Sequence, residues 1–160
     1  MKTLYVLRHA KAVPDDGARD DVDRPLAERG LTDMSLMADH IERAGVRPDV
    51  VYCSPSVRTR QTLDAVLPAL GSPKVAFEDV IYNASVDELI ALARRLPSDA
   101  ASAMFIGHNP GMGDFVGALT RSYVEMPTGA LATLDVAGDD WSEMKAAKLR
   151  DVVVPKQLRA

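Results

Sequence analysis

The stretch Leu4-Tyr5-Val6-Leu7-Arg8-His9-Ala10 is the most informative part of this chain, because an apolar run ends in a cation and an imidazole. A short apolar run followed by polar residues is typical of a buried strand and its end. Arg8 places a fixed positive charge beside His9, whose imidazole can act as a nucleophile. Phosphoryl transfer needs both groups, so this strand end is the first candidate for a phosphate site.

Two later segments begin at predicted strand ends in the same way. Ser54-Pro55-Ser56-Val57-Arg58-Thr59-Arg60-Gln61-Thr62 follows the apolar run Val50-Val51-Tyr52-Cys53, and Gly107-His108-Asn109-Pro110-Gly111 follows Ala103-Met104-Phe105-Ile106. In open α/β sheets, ligands bind outside the carboxyl ends of the strands, where segments distant in sequence meet. We therefore expect the three segments to form one phosphate-binding pocket.

Strand and helix patterns alternate along the chain. Strands are predicted at residues 3–8, 50–53, 74–77, directly before His108, and at residues 130–136 and 149–154. Helices are predicted at residues 28–44, 58–70, 85–96 and 111–119. This order implies an α/β three-layer sandwich, with a mainly parallel central sheet flanked by helices and antiparallel additions at its end.

The first predicted helix has the clearest pattern. Leu31, Met34, Ala38 and Ile41 recur at helical spacing and predict its apolar face, and Gly45 ends it. In the second helix, a proline at position 68 ends or kinks the last turn. Residues 14–24, which include five aspartates, are predicted to form a loop over the site.

Length and composition indicate the number of domains, the cellular compartment and the classes of partner that are excluded. The 160 residues fit a single domain spanning residues 1–160, and the net charge of -4 argues against nonspecific nucleic-acid binding. Arg8 and His9 interrupt the N-terminal apolar run before a signal-peptide core could form, and no apolar stretch reaches membrane-spanning length. A cytoplasmic protein without membrane association is expected. The single cysteine, Cys53, lies in an apolar strand and is expected to be a buried thiol.

Four segments in this order and spacing resemble a known family. They are LRHAKA at residues 7–12, DRPLAERG at 23–30, SPSVRTRQT at 54–62 and GHNPG at 107–111. Together they resemble the histidine phosphatase superfamily, most closely its short bacterial branch, the SixA-type phosphohistidine phosphatases. The wider superfamily carries Arg-His-Gly, whereas Ala10 takes the place of that glycine here, a variation that the short branch tolerates. The resemblance implies a phosphoglycerate mutase-like fold and an enzyme that uses no cofactor.

The resemblance also implies roles for four residues. His9 would attack phosphorus, Arg8 and Arg58 would clamp the phosphoryl oxygens through paired donors, and His108 would stabilise their charge. Taken singly, a structural histidine or an arginine in a surface ion pair is the alternative for each. Arg60 lies only two residues from Arg58, and positions two apart on a helix do not share a face. The family motif selects Arg58. The positive charges of Arg58 and Arg8 should disfavour protonation of the His9 ring, which predicts a lowered pKa for His9.

Three further residues are secondary candidates. Arg24 resembles a family position near the pocket mouth, but a salt bridge with Asp20 or Asp23 explains it nearly as well. Glu78 or Asp79 occupies the place from which larger family members supply a general acid, and a solvated strand-end carboxylate is the alternative for both. A phosphoramidate leaves as an imidazole, which solvent can protonate, so the role of general acid could be vacant.

Several functions are compatible with these residues. No metal is implied, because a catalytic metal would need carboxylates or further imidazoles beside His9 and His108, rather than two arginines. The leading hypothesis is a metal-independent phosphatase of protein phosphohistidine, with a phosphotransfer domain or carrier protein as partner. A phosphatase of a small phosphoester would use the same residues. A phosphate-binding module without turnover is disfavoured by the presence of both histidines. The sequence carries no signal for the oligomeric state.

Overall fold

The central sheet has six strands, whose order in space differs from their order along the chain. The computed structural model describes residues 1–159, and its strands are β1 (Lys2–Arg8), β2 (Val50–Cys53), β3 (Lys74–Phe77), β4 (Ser102–Gly107), β5 (Leu131–Val136) and β6 (Ala147–Val153). They lie in the order β3-β2-β4-β1-β5-β6. Strands β1 to β4 are parallel, whereas β5 and β6 pair in antiparallel fashion. The predicted mainly parallel sheet with antiparallel additions is confirmed.

Helices cover both faces of the sheet. They are α1 (Glu28–Ala44), α2 (Val57–Val66), α3 (Val86–Arg94), α4 (Gly111–Thr120) and the short α5 (Pro155–Leu158). One hydrophobic cluster joins the sheet to α1 and α2, and a second joins it to α3 and α4. Because both faces are buried, the central strands are apolar throughout, and successive residues alternate between the two clusters. The chain thus forms the predicted three layers. No helix among residues 1–159 has the length and apolar character needed to cross a membrane.

The buried face of α1 differs from the prediction at one position. Leu31 is 49% exposed, whereas Met34, Met37 and Ile41 are fully buried. The face is rotated toward Asp33, whose carboxylate accepts two hydrogen bonds, at 3.0 and 2.7 Å, from a C-terminal arginine, Arg159. Spacing predicted the helix and its end at Gly45 (φ 69°) correctly. It missed the burial of Asp33 and its pairing with Arg159, which lies 126 residues further along the chain.

Candidate active site

The ends of three neighbouring strands place the predicted segments together. β4 lies between β1 and β2. The first backbone N–H groups after β1 and β2 both donate to β4, His9 to the carbonyl of Gly107 (3.0 Å) and Ser54 to that of Ile106 (3.0 Å). His108 comes directly after β4. The sheet therefore brings the three segments to one edge, as the sequence predicts.

The two histidines lie side by side and are anchored through different ring nitrogens. The ring centroids of His9 and His108 are 5.3 Å apart, and both residues are buried. Nδ1–H of His9 donates to the carbonyl of Ala10 (2.7 Å), which leaves Nε2 as the unprotonated nitrogen of the neutral ring. Nε2 of His108 lies 2.8 Å from Oγ of Ser54, so its Nδ1 is the nitrogen free to meet a ligand.

Both imidazoles are neutral at physiological pH. Burial, with smaller effects from the charges of Arg58 and Arg8, lowers the pKa of His9 to about 4. Burial and the charge of Arg58 lower the pKa of His108 to about 3. The predicted downward direction for the pKa of His9 is confirmed, but burial is a larger cause than the two arginines. A neutral imidazole has the free lone pair that a nucleophile needs.

Arg8 and Arg58 reach this pocket from different strand ends, and each is held by a terminal nitrogen. Nη1 of Arg8 donates to the carbonyl of Met126 (3.1 Å). Nη1 of Arg58 donates to the carbonyl of Asp21 (2.7 Å), and Arg58 is only 5% exposed. These contacts leave the Nε–H group of each arginine without a protein partner.

Arg60 has different surroundings from its neighbour Arg58. It is exposed, its Nε donates to the carbonyl of Pro55 (2.8 Å), and its guanidinium lies 4.0 Å from the ring centroid of Phe77. Residues two apart on a helix lie on different faces. The structure therefore brings Arg58 to the histidines and leaves Arg60 at the surface.

Three buried nitrogens of the pocket lack a hydrogen-bond partner. In the described part of the chain, Arg8 Nε, Arg58 Nε and His108 Nδ1 are the only buried side-chain nitrogens or oxygens in this state. An unpaired buried polar group costs about 1–3 kcal/mol, so such groups are normally satisfied. Two guanidinium N–H groups and one imidazole nitrogen suit an anion with several oxygens. We call these three nitrogens the nitrogen cradle.

The acidic segment, residues 14–24, meets the pocket through Asp21. Its carboxylate accepts hydrogen bonds from Nη2 of Arg58 (3.0 Å), the hydroxyl of Tyr82 (2.5 Å) and Nε of Arg24 (3.0 Å). The predicted loop is thus tied to the site by Asp21, through its carboxylate and its backbone carbonyl.

Arg24 lies at the pocket, but its ion-pair partner differs from the prediction. It pairs with Asp21 at 2.9 Å, rather than with Asp20 or Asp23. Asp21 lies three residues before Arg24, at the start of a single 3-10 turn, and this turn brings its carboxylate and the guanidinium together. The charge of Arg24 also makes a small contribution to the lowered pKa of His9.

Sequence reasoning missed Tyr82 and did not single out Asp21 or Ser54. The ring of Tyr82 stands edge-on to His108, with 5.4 Å between centroids and an angle of 88°. Ser54 directly follows a strand at the same sheet edge as His9, so the same rule could have found it. No short-range pattern marks Tyr82, which reaches Asp21 across 61 residues of sequence.

Glu78 and Asp79 directly follow β3, the strand at the edge of the sheet. Glu78 is half-buried, and burial together with its carboxylate raises the pKa of Tyr52, whereas Asp79 is exposed. The side chain that this segment sends to His108 is Tyr82. The role of general acid stays a prediction for both carboxylates.

A cleft of about 750 Å³ opens beside Arg8. One wall is the start of α4 and the other is the segment 122–127, in which Tyr123 is 90% exposed. The carbonyl of Met126 joins the two walls by accepting from Arg8 (3.1 Å) and from Nδ2 of Asn109 (3.0 Å). The volume lies within the range of small-molecule pockets and exceeds what a phosphate ion needs.

The structure offers neither a cluster of metal ligands nor a reactive thiol within residues 1–159. Across residues 1–159, no three His, Cys, Asp or Glu side chains lie close enough together to hold a metal ion. Cys53 is buried, as predicted, and burial raises the pKa of its thiol to about 12. That thiol stays protonated at neutral pH and is a poor nucleophile.

The chain is similar to known proteins over most of its length. A family model described as "Histidine phosphatase superfamily (branch 1)" matches residues 4–85. Phosphohistidine phosphatase SixA of Escherichia coli is 31% identical over 145 residues, which cover 85% of this chain and 88% of that protein. A solved structure of the protein histidine phosphatase SixA complexed with tungstate has a TM-score of 0.86 at 26% identity, covering 98% of this chain and 99% of that one. An uncharacterised Mycobacterium tuberculosis protein is 28% identical over 150 residues, 87% of this chain and 92% of its own length.

Proposed function

Because the chain belongs to the histidine phosphatase superfamily, we propose that it removes the phosphoryl group from protein phosphohistidine through a covalent intermediate on His9, without a metal ion. Family membership supports a phosphatase in general. The observation that carries phosphoryl transfer to His9 is the nitrogen cradle beside it, formed by Arg8, Arg58 and His108. Its nitrogens match the oxygens of a transferring phosphoryl group. A SixA relative complexed with tungstate, a tetrahedral oxyanion, gives further support. The likeness to SixA proteins supports phosphohistidine as the substrate.

The reaction would proceed in two displacements. In the first, Nε2 of His9 forms a bond to phosphorus while the bond from phosphorus to the substrate nitrogen breaks. The departing imidazole keeps the electron pair of that bond and takes a proton from solvent. In the second, water attacks phosphorus, the bond to His9 breaks, and inorganic phosphate leaves with the ring again neutral. The lowered pKa of His9, about 4, keeps its lone pair available at neutral pH.

The nitrogen cradle would stabilise the charge of the phosphoryl oxygens. Arg8 and Arg58 are already oriented through their terminal nitrogens, so their Nε–H groups need little reorganisation to donate to oxygen. When the hydroxyl of Ser54 donates to Nε2 of His108, the ring proton lies on Nδ1 and provides a third donor.

A phosphohistidine substrate needs less help from the enzyme in protonating its leaving group than an alkyl phosphate does. Imidazole is a much weaker base than an alkoxide, so a phosphohistidine substrate gains less from a general acid. Glu78 and Asp79 remain the proposed acids for a more basic leaving group. Asp21 contacts Arg58 of the cradle but has no proton to give, because the Tyr82 hydroxyl and two guanidiniums hold its pKa far below the usual value.

The cleft beside Arg8 supports a substrate larger than phosphate. It is open, continuous with an arginine of the cradle, and flanked by the exposed Tyr123. A histidine projecting from a phosphotransfer domain or carrier protein would enter between these walls. A small phosphoester is the second candidate, because the cleft volume of about 750 Å³ also suits a small molecule.

The test is phosphate release from a histidine-phosphorylated carrier protein in the presence of a metal chelator. The parent chain is expected to turn over, and His9→Ala is expected to lose at least about 1000-fold in rate because the nucleophile is gone. His40→Ala is the matched control, since His40 lies on α1 outside the cradle. It should retain the parent rate.

Each other outcome has a definite meaning. Turnover that survives in His9→Ala contradicts the covalent mechanism, and turnover abolished by the chelator contradicts metal independence. A parent chain that hydrolyses only small phosphoesters supports the second candidate. Phosphate binding without turnover of either substrate class leaves a non-catalytic phosphate-binding module.

A further inference from the structure

Asp21 occupies one edge of the guanidinium that the proposed reaction needs. Its backbone carbonyl accepts from Nη1 of Arg58 at 2.7 Å, and its carboxylate accepts from Nη2 at 3.0 Å. A single residue therefore holds both terminal nitrogens of Arg58. The buried, unpartnered Nε–H on the other edge is left for a ligand.

The carboxylate of Asp21 is itself held by three side chains. Besides Arg58, it accepts from the hydroxyl of Tyr82 (2.5 Å) and from Nε of Arg24 (3.0 Å). These donors favour the ionised form. A negative charge is therefore fixed beside the nitrogen cradle.

This arrangement has two opposite effects on a bound phosphate. A free arginine side chain loses conformational entropy when it binds a ligand, and the contacts with Asp21 remove that loss in advance. The same carboxylate repels an incoming phosphate dianion. It also partly neutralises the positive charge of Arg58, which weakens the attraction between Arg58 and phosphate. Asp21 is 40% exposed, so solvent screens this repulsion and its effect is modest.

We propose that Asp21 is a positioning residue, which orients Arg58 for the phosphoryl group while its negative charge weakens the binding of free phosphate and so favours product release. The inference rests on the proposed function, because it concerns phosphate on the same nitrogen cradle. Two arginines and a histidine that stabilise the transition state also bind the product, and tight product binding slows turnover. A neighbouring anion counteracts this effect.

The test is the dissociation constant for inorganic phosphate, measured by titration calorimetry at pH 7.5. Asp21→Asn keeps the shape and an oxygen acceptor but removes the charge, so its Kd should be about fivefold lower than that of the parent chain. Asp23→Asn is the matched control, because it makes the same change in net charge at an exposed position two residues away. Its Kd should change by less than about twofold.

A second variant separates orientation from charge. Asp21→Ala removes the charge and also the side-chain acceptor for Arg58, so its Kd should be about threefold higher than that of Asp21→Asn. An unchanged or higher Kd in Asp21→Asn would overturn the charge effect, and equal values in the two variants would overturn the orienting role. A parent chain that binds no phosphate would instead contradict the phosphate site itself, and with it the proposed function.

Discussion

Arg58 makes contacts that a lysine cannot reproduce. Its terminal nitrogens donate to Asp21 while its Nε–H remains free in the cradle. A lysine carries all its donors on one nitrogen and cannot serve both edges at once. Arg60, on the same helix, has the same charge but stacks on Phe77 at the surface. Comparing variants of Arg58 and Arg60 therefore distinguishes the effect of guanidinium position from the effect of positive charge on activity.

Arg58→Lys should lower kcat/KM by about 100-fold, in line with the loss of one oriented donor to a developing anion. Arg60→Lys should stay within about twofold of the parent, because its contacts lie outside the cradle. Steady-state kinetics on the best phosphorylated substrate of the parent chain would measure both. Equal losses in the two variants would mean that overall charge near α2, rather than the position of Arg58, supports activity.

Residues next to strand ends could be predicted from sequence, and residues brought in from elsewhere could not. His9, Arg58 and His108 each lie within a few positions of an apolar strand, so one rule about sheet edges located their three segments, and the family motif selected Arg58 over the second arginine of α2. Asp21 begins one 3-10 turn and Tyr82 follows another. Asp21 contacts Arg58 across 37 residues of sequence, and Tyr82 contacts Asp21 across 61. Such contacts depend on the path of the folded chain, which periodicity does not encode.

At the scale of elements, the start of α1 is fitted against the segment that follows His9. The N–H of Ala27 donates to the carbonyl of Lys11 at 2.9 Å. A Cβ on Gly30 would lie only 2.2 Å from that same carbonyl oxygen. The glycine in the RPLAERG motif therefore permits a backbone approach that no other residue allows.

Gly30→Ala should destabilise the protein by about 2–3 kcal/mol, even though alanine is the better helix former by about 1 kcal/mol, because backbone must move to remove the clash. The free energy of unfolding from urea denaturation would measure this. Arg29→Ala, at the exposed neighbouring position of the same helix, is the control and should change stability by less than about 0.5 kcal/mol. A Gly30→Ala variant as stable as the parent would show that the carbonyl of Lys11 moves at little cost.

The bounds of strands and helices could be predicted where the local sequence pattern determines them. The orientation of a helix was predicted less well where a residue distant in sequence contacts it. The bounds of β2, β3 and α1 agree with their apolar runs, helical spacing and terminal glycine. The rotation of α1 does not follow from the spacing of apolar residues alone. Asp33 is buried on this helix and pairs with Arg159 near the C-terminus, whereas Leu31 is 49% exposed.

At the scale of the whole molecule, the fold buries a set of basic groups at one edge of the sheet. His9, His108 and Arg58 are each less than 10% exposed. An unfolded chain would hydrate these groups freely, so keeping them buried costs stability. The cost depends on pH only for the histidines, because a guanidinium stays protonated throughout the accessible range.

The direction of the pH dependence follows from proton uptake. In the unfolded chain, histidine takes up a proton near pH 6.5. In the folded chain, burial delays uptake until about pH 4 for His9 and about pH 3 for His108. Between these values the unfolded state binds more protons, so the free energy of unfolding decreases as the pH falls below about 6.5.

His108→Asn should remove one of these two contributions. Between pH 7 and pH 4.5, the parent chain should lose about 2 kcal/mol more of its free energy of unfolding than this variant, because a pKa difference of one unit is worth about 1.4 kcal/mol. Urea denaturation at the two pH values gives both losses. His40→Asn, a half-buried histidine on α1, should behave like the parent chain. If His108→Asn and the parent lose equal stability, His108 takes up its proton in the folded state as readily as in the unfolded chain, and the burial of the cradle does not keep its ring neutral.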